Sequence, residues 1–317
     1  MMRYLFILSF LMGNLYATVS TINVAPWLKE KHFMDIEILD QKELSFGRID
    51  GVKFSELSDL AYDLKTHILY MIGDKGALFA FRAKFTKKIE TLSPLHAATL
   101  KKPNGKRLKK WKRDSEGMIL DGKRRLYISF EGEAKIAWFH KNGSKFGSLI
   151  QKQKLPKILK RTRNYRSKNK SLESLAWHPK YGLLTAAEWP LKKDHKKRQT
   201  VYALGGKKWY FKAEPEARTS VVAMEVMDDG NLLVLERSYA GMLSPFVITL
   251  KKVYLKHIKN GWCKTKVLAK MSSHQGWDID NFEGLAKVGK NRYIMISDDN
   301  ENFFQKTLLI YFEVLES

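Results

Sequence analysis

Apolar residues along this chain fall in short runs, cut by polar breaks such as Asp121-Gly122, Asn142-Gly143 and Gly289-Lys290-Asn291. No stretch holds an apolar period of 3.6 for long, so helices are expected to be minor. The pattern predicts strands joined by tight turns. Residues 116–120, 125–130, 135–140 and 145–150 read as four strands in succession, and residues 173–178, 182–187, 200–205 and 208–213 repeat the plan. A further unit carries the Asp229-Gly230-Asn231 turn and a long excursion over residues 238–262. The last unit runs out of sequence after a third strand near residues 307–315, so the alternating segment 35–44 is expected to supply its fourth.

The openings of these units share a spacing. Fifteen residues separate Asp59 from Asp74, Glu116 from Glu131, Glu173 from Glu188 and Glu283 from Asp298. A fifth copy ends on Glu236 but has Val221 where the first acid would stand. Five copies of a unit built from several short strands point to a radial array. The expected fold is all-β: a single β-propeller of five or six four-stranded antiparallel blades, its ring closed by an N-terminal strand. The 317 residues fit one such body, taken as residues 18–317.

Strand one and strand two of a unit are antiparallel neighbours, so the residue opening one lies beside the residue closing the other. If strand one is innermost, every acid pair reaches the axis on one face. Nine acids (Asp59, Asp74, Glu116, Glu131, Glu173, Glu188, Glu236, Glu283 and Asp298) are then expected around one opening. So many carboxylates need protons, a basic partner such as Arg237, or a bound cation. Oxygen ligands alone favour Ca²⁺ over Mg²⁺ or Mn²⁺, and all of these over zinc.

Charge adds a second layer. The net charge of +24 favours anionic partners. Residues 101–113 hold eight basic side chains and residues 152–170 nine, with no acid in either, and residues 192–198 hold five beside Asp194. These runs lie in connections that reach the face bearing the acids, so Lys109, Lys110, Arg161, Arg163, Lys196 and Arg198 are expected to form a basic rim. Trp111 and Tyr165 sit within such runs but read as loop anchors, and no nucleic-acid partner is expected.

Residues 4–12 form an apolar run after Arg3, with Ala17 at a cleavage-type position. Residues 1–17 therefore read as a signal peptide, giving a periplasmic or secreted protein with no membrane-spanning segment after cleavage. Cys263 is the only cysteine, which excludes an internal disulfide and a CxxC site. The nucleophile-elbow, HExxH, P-loop and dinucleotide-binding motifs are absent. The segment Asp278-x-Asp280-Asn281 opens like a calcium loop but lacks its later residues, and His178 and His195 read as a turn residue and a basic-loop residue.

The blocks NFEGLAKV, ISDDN and QKTLLIYFEV, with LSDLAYD, DSEGMIL, SLESLAWHP and LLVLERSY, resemble the phytase-like family with esterase-like activity, over about residues 46–314. Members are propellers, usually exported from bacteria, and the family name implies hydrolysis of phosphate or other esters. Carried over by motif, the resemblance implies Glu116, Glu173, Glu236, Arg237, Glu283, Asp298 and Asp299. The chain departs from the family pattern at Glu56, Ser58 and Ser174, where glycine-rich equivalents are expected, and its basic insertions are its own. The combined expectation is an exported ester hydrolase, phosphoesters before carboxylesters. Glu116, Glu173, Glu236, Arg237 and Glu283 are its catalytic group. Asp59, Asp74, Glu131, Glu188, Asp298 and Asp299 hold the metal, and the rim receives an anionic small-molecule or polymeric substrate. The rival expectation is a non-catalytic propeller that binds an anionic envelope polymer or a partner protein.

Overall fold

The computed structural model describes residues 18–167, 169–241 and 244–315, leaving the side chain of Lys110 aside; the expected signal peptide lies outside them. The chain forms a five-bladed β-propeller of four-stranded antiparallel blades. Blade I comprises Leu57–Asp63, Ile68–Gly73, Ala77–Phe85 and Ile89–Thr99. Blade II comprises Ser115–Leu120, Leu126–Phe130, Lys135–Phe139 and Leu149–Lys152. Blade III comprises Leu172–His178, Gly182–Ala187, Arg198–Ala203 and Lys208–Lys212. Blade IV comprises Ser220–Val226, Leu232–Ser238, Val247–Lys259 and Trp262–Ser272. The excursion expected over residues 238–262 is thus mostly one long strand, whose apolar positions Val247, Ile248, Leu250 and Val253 are all buried.

Blade V comprises Asn281–Gly289, Arg292–Asp298 and Leu308–Val314, and its fourth strand is Ile36–Ser45. The pairing of Leu308 with Glu43 through Val314 with Ile36 joins the two ends of the chain and covers an edge that would otherwise be open. Thr18–Thr21 adds a further strand outside it. Helical turns among the described residues are confined to Lys157–Lys160 and three single 3-10 turns. None is long and apolar enough to cross a membrane.

Burial between blades holds the ring together. Ala176, Leu184, Trp209 and Phe211 of blade III pack against Val221, Met224, Val234 and Leu255 of blade IV. Leu60, Phe79 and Phe81 of blade I meet Ile294, Ile296 and Leu309 of blade V. Near the axis the first strands approach so closely that side chains are trimmed. A β-carbon at Gly117 would stand 2.5 Å from the Glu173 carbonyl oxygen, and one at Gly284 would stand 2.8 Å from the Asp59 α-carbon. Ser174 occupies the same place in blade III, so its small side chain answers the same constraint.

Candidate functional site

Every first strand begins with a bulge. Pairing skips one residue between Leu57 and Asp59, Leu172 and Ser174, Val221 and Ala223, and Phe282 and Gly284, and breaks likewise between Ser115 and Met118. A bulge re-aims the extra residue. The bulged residues are Ser58, Glu116, Glu173, Val222 and Glu283. Opposite them, one residue beyond the partner of the residue before the bulge, stand Asp74, Glu131, Glu188, Arg237 and Asp298; Arg237 and Asp298 are still paired, with Ser220 and Asn281. This register gathers seven of the nine expected acids with Arg237, and sends the other two elsewhere.

The circle is continuous through its electrostatics. Asp74 and Glu116 repel, Glu116 feels Glu131 and Glu173, and Glu173 feels Glu131 and Glu188. Glu188 and Glu283 both face Arg237, while Asp298 feels Glu283 and Asp74 and so returns to blade I. Burial first and like charge second push these groups upward: Asp74 to about 7, Glu131 to about 8 and Asp298 to about 9. Glu116 and Glu173 are pushed well above the usual carboxylate range for the same reasons. Glu283 is raised by burial, against the lowering effect of Arg237.

Among the described residues, Arg237 and Lys170 reach into the ring. Arg237 donates from Nη1 to Glu283 Oε1 at 2.6 Å and to Asn281 Oδ1, and from Nη2 to Glu188 Oε1 at 3.3 Å. Lys170, from the basic run ahead of blade III, meets Glu188 Oε2 at 2.6 Å. Lys170 was not singled out from sequence; its place three residues before Glu173 was the available signal. Among the described residues, two sets of carboxylates remain close enough to share an ion, Asp114 with Glu116 and Glu131, and Glu131 with Glu173 and Glu188. In each set the nearest oxygens lie within 4.8 Å of one another. Glu173 Oε2 is buried with no hydrogen-bond partner among the described residues. Asp114 was also missed, because it precedes the repeating pair.

Three expected acids serve elsewhere. Asp59 accepts backbone N–H groups of Leu60 at 2.9 Å, Met118 at 2.7 Å and Leu285 at 3.0 Å, tying blades I, II and V together at the axis. Glu236 precedes Arg237 and faces the opposite side of its strand, where it meets buried Lys251 at 2.5 Å. Asp299 accepts from Glu56 N at 2.9 Å and so fastens the final loop of blade V to the start of blade I.

Of the rim, Lys109, Arg161, Arg163 and Lys196 are exposed, whereas Arg198 is paired with Asp194. Trp111 is exposed, while Tyr165 is buried and donates to the Leu159 carbonyl. The two motifs read as structural from sequence have structural partners. A His178 ring nitrogen bonds the Gly230 carbonyl, and Asp280 accepts from Asn281 N, Gln305 Nε2 and Lys306 N.

Fold and site together define a five-bladed propeller with a buried, carboxylate-lined axial mouth. Its sequence is matched over residues 52–301 by the model of a family described as "Phytase-like: Esterase-like activity of phytase". The chain belongs to that family. No curated protein matches it. Among solved structures it is similar to a catalytically inactive virginiamycin B lyase from Staphylococcus aureus with quinupristin, at 9 % identity, 93 % and 99 % coverage of the two chains, and TM-score 0.41. It is similar to PQQ-bound aldose sugar dehydrogenase from Streptomyces coelicolor, at 10 % identity, 94 % and 98 % coverage, and TM-score 0.42.

Proposed function

We propose that the protein is an exported, cation-dependent hydrolase of anionic esters, phosphoesters before carboxylesters, working at the axial mouth. The observation that carries this reading is the buried set Glu131, Glu173 and Glu188, whose oxygens converge within 4.8 Å while Glu173 Oε2 has no hydrogen-bond partner among the described residues. An orphaned buried carboxylate oxygen is costly unless a cation meets it. All-oxygen donors suit Ca²⁺. Bound there, the cation supplies positive charge to an anionic substrate oxygen. Export enters through the apolar run at residues 4–12.

The chain's own groups divide the proton work. Glu116, which lies in one of the two carboxylate sets and would be ionised there by a neighbouring bound cation, would take a proton from the attacking water as its oxygen bonds to phosphorus and the ester P–O bond breaks. Asp298, held protonated up to about 9 by burial and by Glu283, has a proton to give to the departing oxygen. Arg237 and Lys170 hold fixed positive charge beside the reacting centre, and exposed Lys109, Arg161, Arg163 and Lys196 draw anions toward it.

A panel of phosphate and carboxylate esters, assayed with calcium and after chelation, tests this reading beside a direct calcium titration. Turnover is expected only with the cation, and Glu173→Gln is expected to lower it by about 100-fold or more. Calcium binding without turnover of any ester would leave the propeller a binding module for an anionic polymer or partner. No binding of any divalent cation would remove the reading.

A further inference from the structure

We infer that the cleft between blades IV and V beside Arg237 is a binding site for an aromatic group, so that the anionic ester handled at the mouth is an aryl ester. The inference rests on the reading above for the ester, and on separate observations for the aryl group. The cleft has a volume of about 750 Å³, within the range of small-molecule pockets. Arg237 lines it and also contacts Glu283 and Glu188, and Asn281 lines it while bonding Arg237 and Glu283, so cleft and mouth share these two side chains.

One wall of the cleft is aromatic and apolar, set against a polar wall that includes Asp278, Asp280, Asn300 and Asn302. The rings of Tyr239 and Phe246 lie parallel, 4.4 Å apart at 11°. Ile279 and Leu308 continue the wall, and Phe304 stands at the lip. Phe304 is 86 % exposed, and Phe303, against which it packs edge-on, is 94 % exposed. Two phenylalanines left this open are an unpaid apolar surface, of the kind that marks a ligand site.

Asp280, Asn281, Asn302, Gln305 and Lys306 of the cleft are already engaged, while Asp278 and Asn300 stand exposed at its edge. Asp280 accepts Gln305 Nε2 at 2.8 Å and Lys306 N at 2.8 Å, Asn302 Oδ1 accepts Phe304 N at 3.1 Å, and Asn281 serves Arg237 and Glu283. A sugar or polyol would need those groups free. A flat apolar group needs only the ring faces, which stack favourably with an aryl plane. Arg237 then faces the anion at the cleft's inner end, where a guanidinium matches phosphate geometry.

Phenylphosphonate and methylphosphonate separate the two halves of this inference, because their C–P bond survives in the enzyme and binding is read without turnover. Calorimetric titration of the full protein with calcium is expected to show phenylphosphonate binding at least about tenfold more tightly. In the double variant Tyr239→Ser, Phe304→Ser, which alters two exposed side chains, the ratio is expected to fall to about one. Equal affinities in the unaltered protein, no binding of either probe, or an unchanged ratio in the variant would each overturn the aryl site. A ratio that collapses as expected, in a protein that hydrolyses no ester, would instead remove the hydrolase reading and leave the aryl site standing. Ester turnover with a ratio of one would do the reverse.

Discussion

Arg237 stands where the other four blades carry Asp74, Glu131, Glu188 and Asp298, so one substitution of charge sign changes the electrostatics of the whole mouth. Burial opposes its charge, and Glu283, Glu188, Glu173 and Asp298 more than restore it. Arg237→Gln removes a fork from two buried carboxylates and leaves them facing each other uncompensated. Breaking such a pair from one side costs about 3–5 kcal/mol. Urea unfolding is expected to show a loss of that size in metal-free protein, with part of it restored at lower pH, where Glu283 and its neighbours take up protons. Arg237→Lys keeps the charge without the bidentate geometry and is expected to fall between the two. A neutral effect of Arg237→Gln would mean that the ring carries little unbalanced charge.

At the scale of the element, the bulge decides which acids meet. The five units, the four-strand plan and the closing strand over residues 35–44 were legible because alternation, Asp-Gly and Asn-Gly turns and fifteen-residue spacing all leave marks in sequence. Register was legible in only three units. From the residue before the bulge to its partner is fifteen residues in blades II to V, but sixteen from Leu57 to Gly73 in blade I. The longer hairpin moves Ser58 into the mouth and Asp59 out of it. In blade IV the fifteen-residue partner of Val221 is Glu236, yet the bulge falls on Val222, which brings Arg237 inward. A bulge has no strong sequence signature, and a one-residue slip exchanges the two faces of a strand. The contrast can be measured. Asp59→Ala strands the Leu60, Met118 and Leu285 N–H groups and is expected to cost about 3–9 kcal/mol, at about 1–3 per orphaned donor, with calcium affinity unchanged. Glu131→Gln, common to both carboxylate sets, is expected to raise the calcium Kd by at least about tenfold with a smaller effect on stability. Equal losses of affinity in the two variants would mean that Asp59 does reach the mouth.

Across the whole molecule, a chain of net charge +24 folds around a cavity of the opposite sign, and the two respond to pH differently. Asp74, Glu131 and Asp298 hold their protons to about 7, 8 and 9 when folded, against about 4 when unfolded. Between those limits the folded protein binds more protons than the unfolded chain, so stability falls as pH rises. The contribution is complete below about 4 and is lost as each folded value is passed. Lys135, lowered by burial to about 8, acts in the opposite direction from there upward, and Asp63, held low by Arg124 and Lys141 against burial, acts only in acid. Over about pH 5 to 8 the mouth groups act together with Glu225 and Glu236, each raised by burial to about 7, and with Asp59, raised well above the usual range by burial, so calcium is what separates the mouth from these other carboxyls. Calorimetry in chelator is expected to show the Tm declining across this range. A cation replaces those protons, so excess calcium is expected to raise the Tm more at about pH 8 than at about pH 5, approaching 2.7 kcal/mol at roughly a hundredfold excess over Kd. A Tm that climbs with pH in chelator would mean that the seven carboxyls are not the charge that governs this fold, and a calcium effect independent of pH would place the cation away from them.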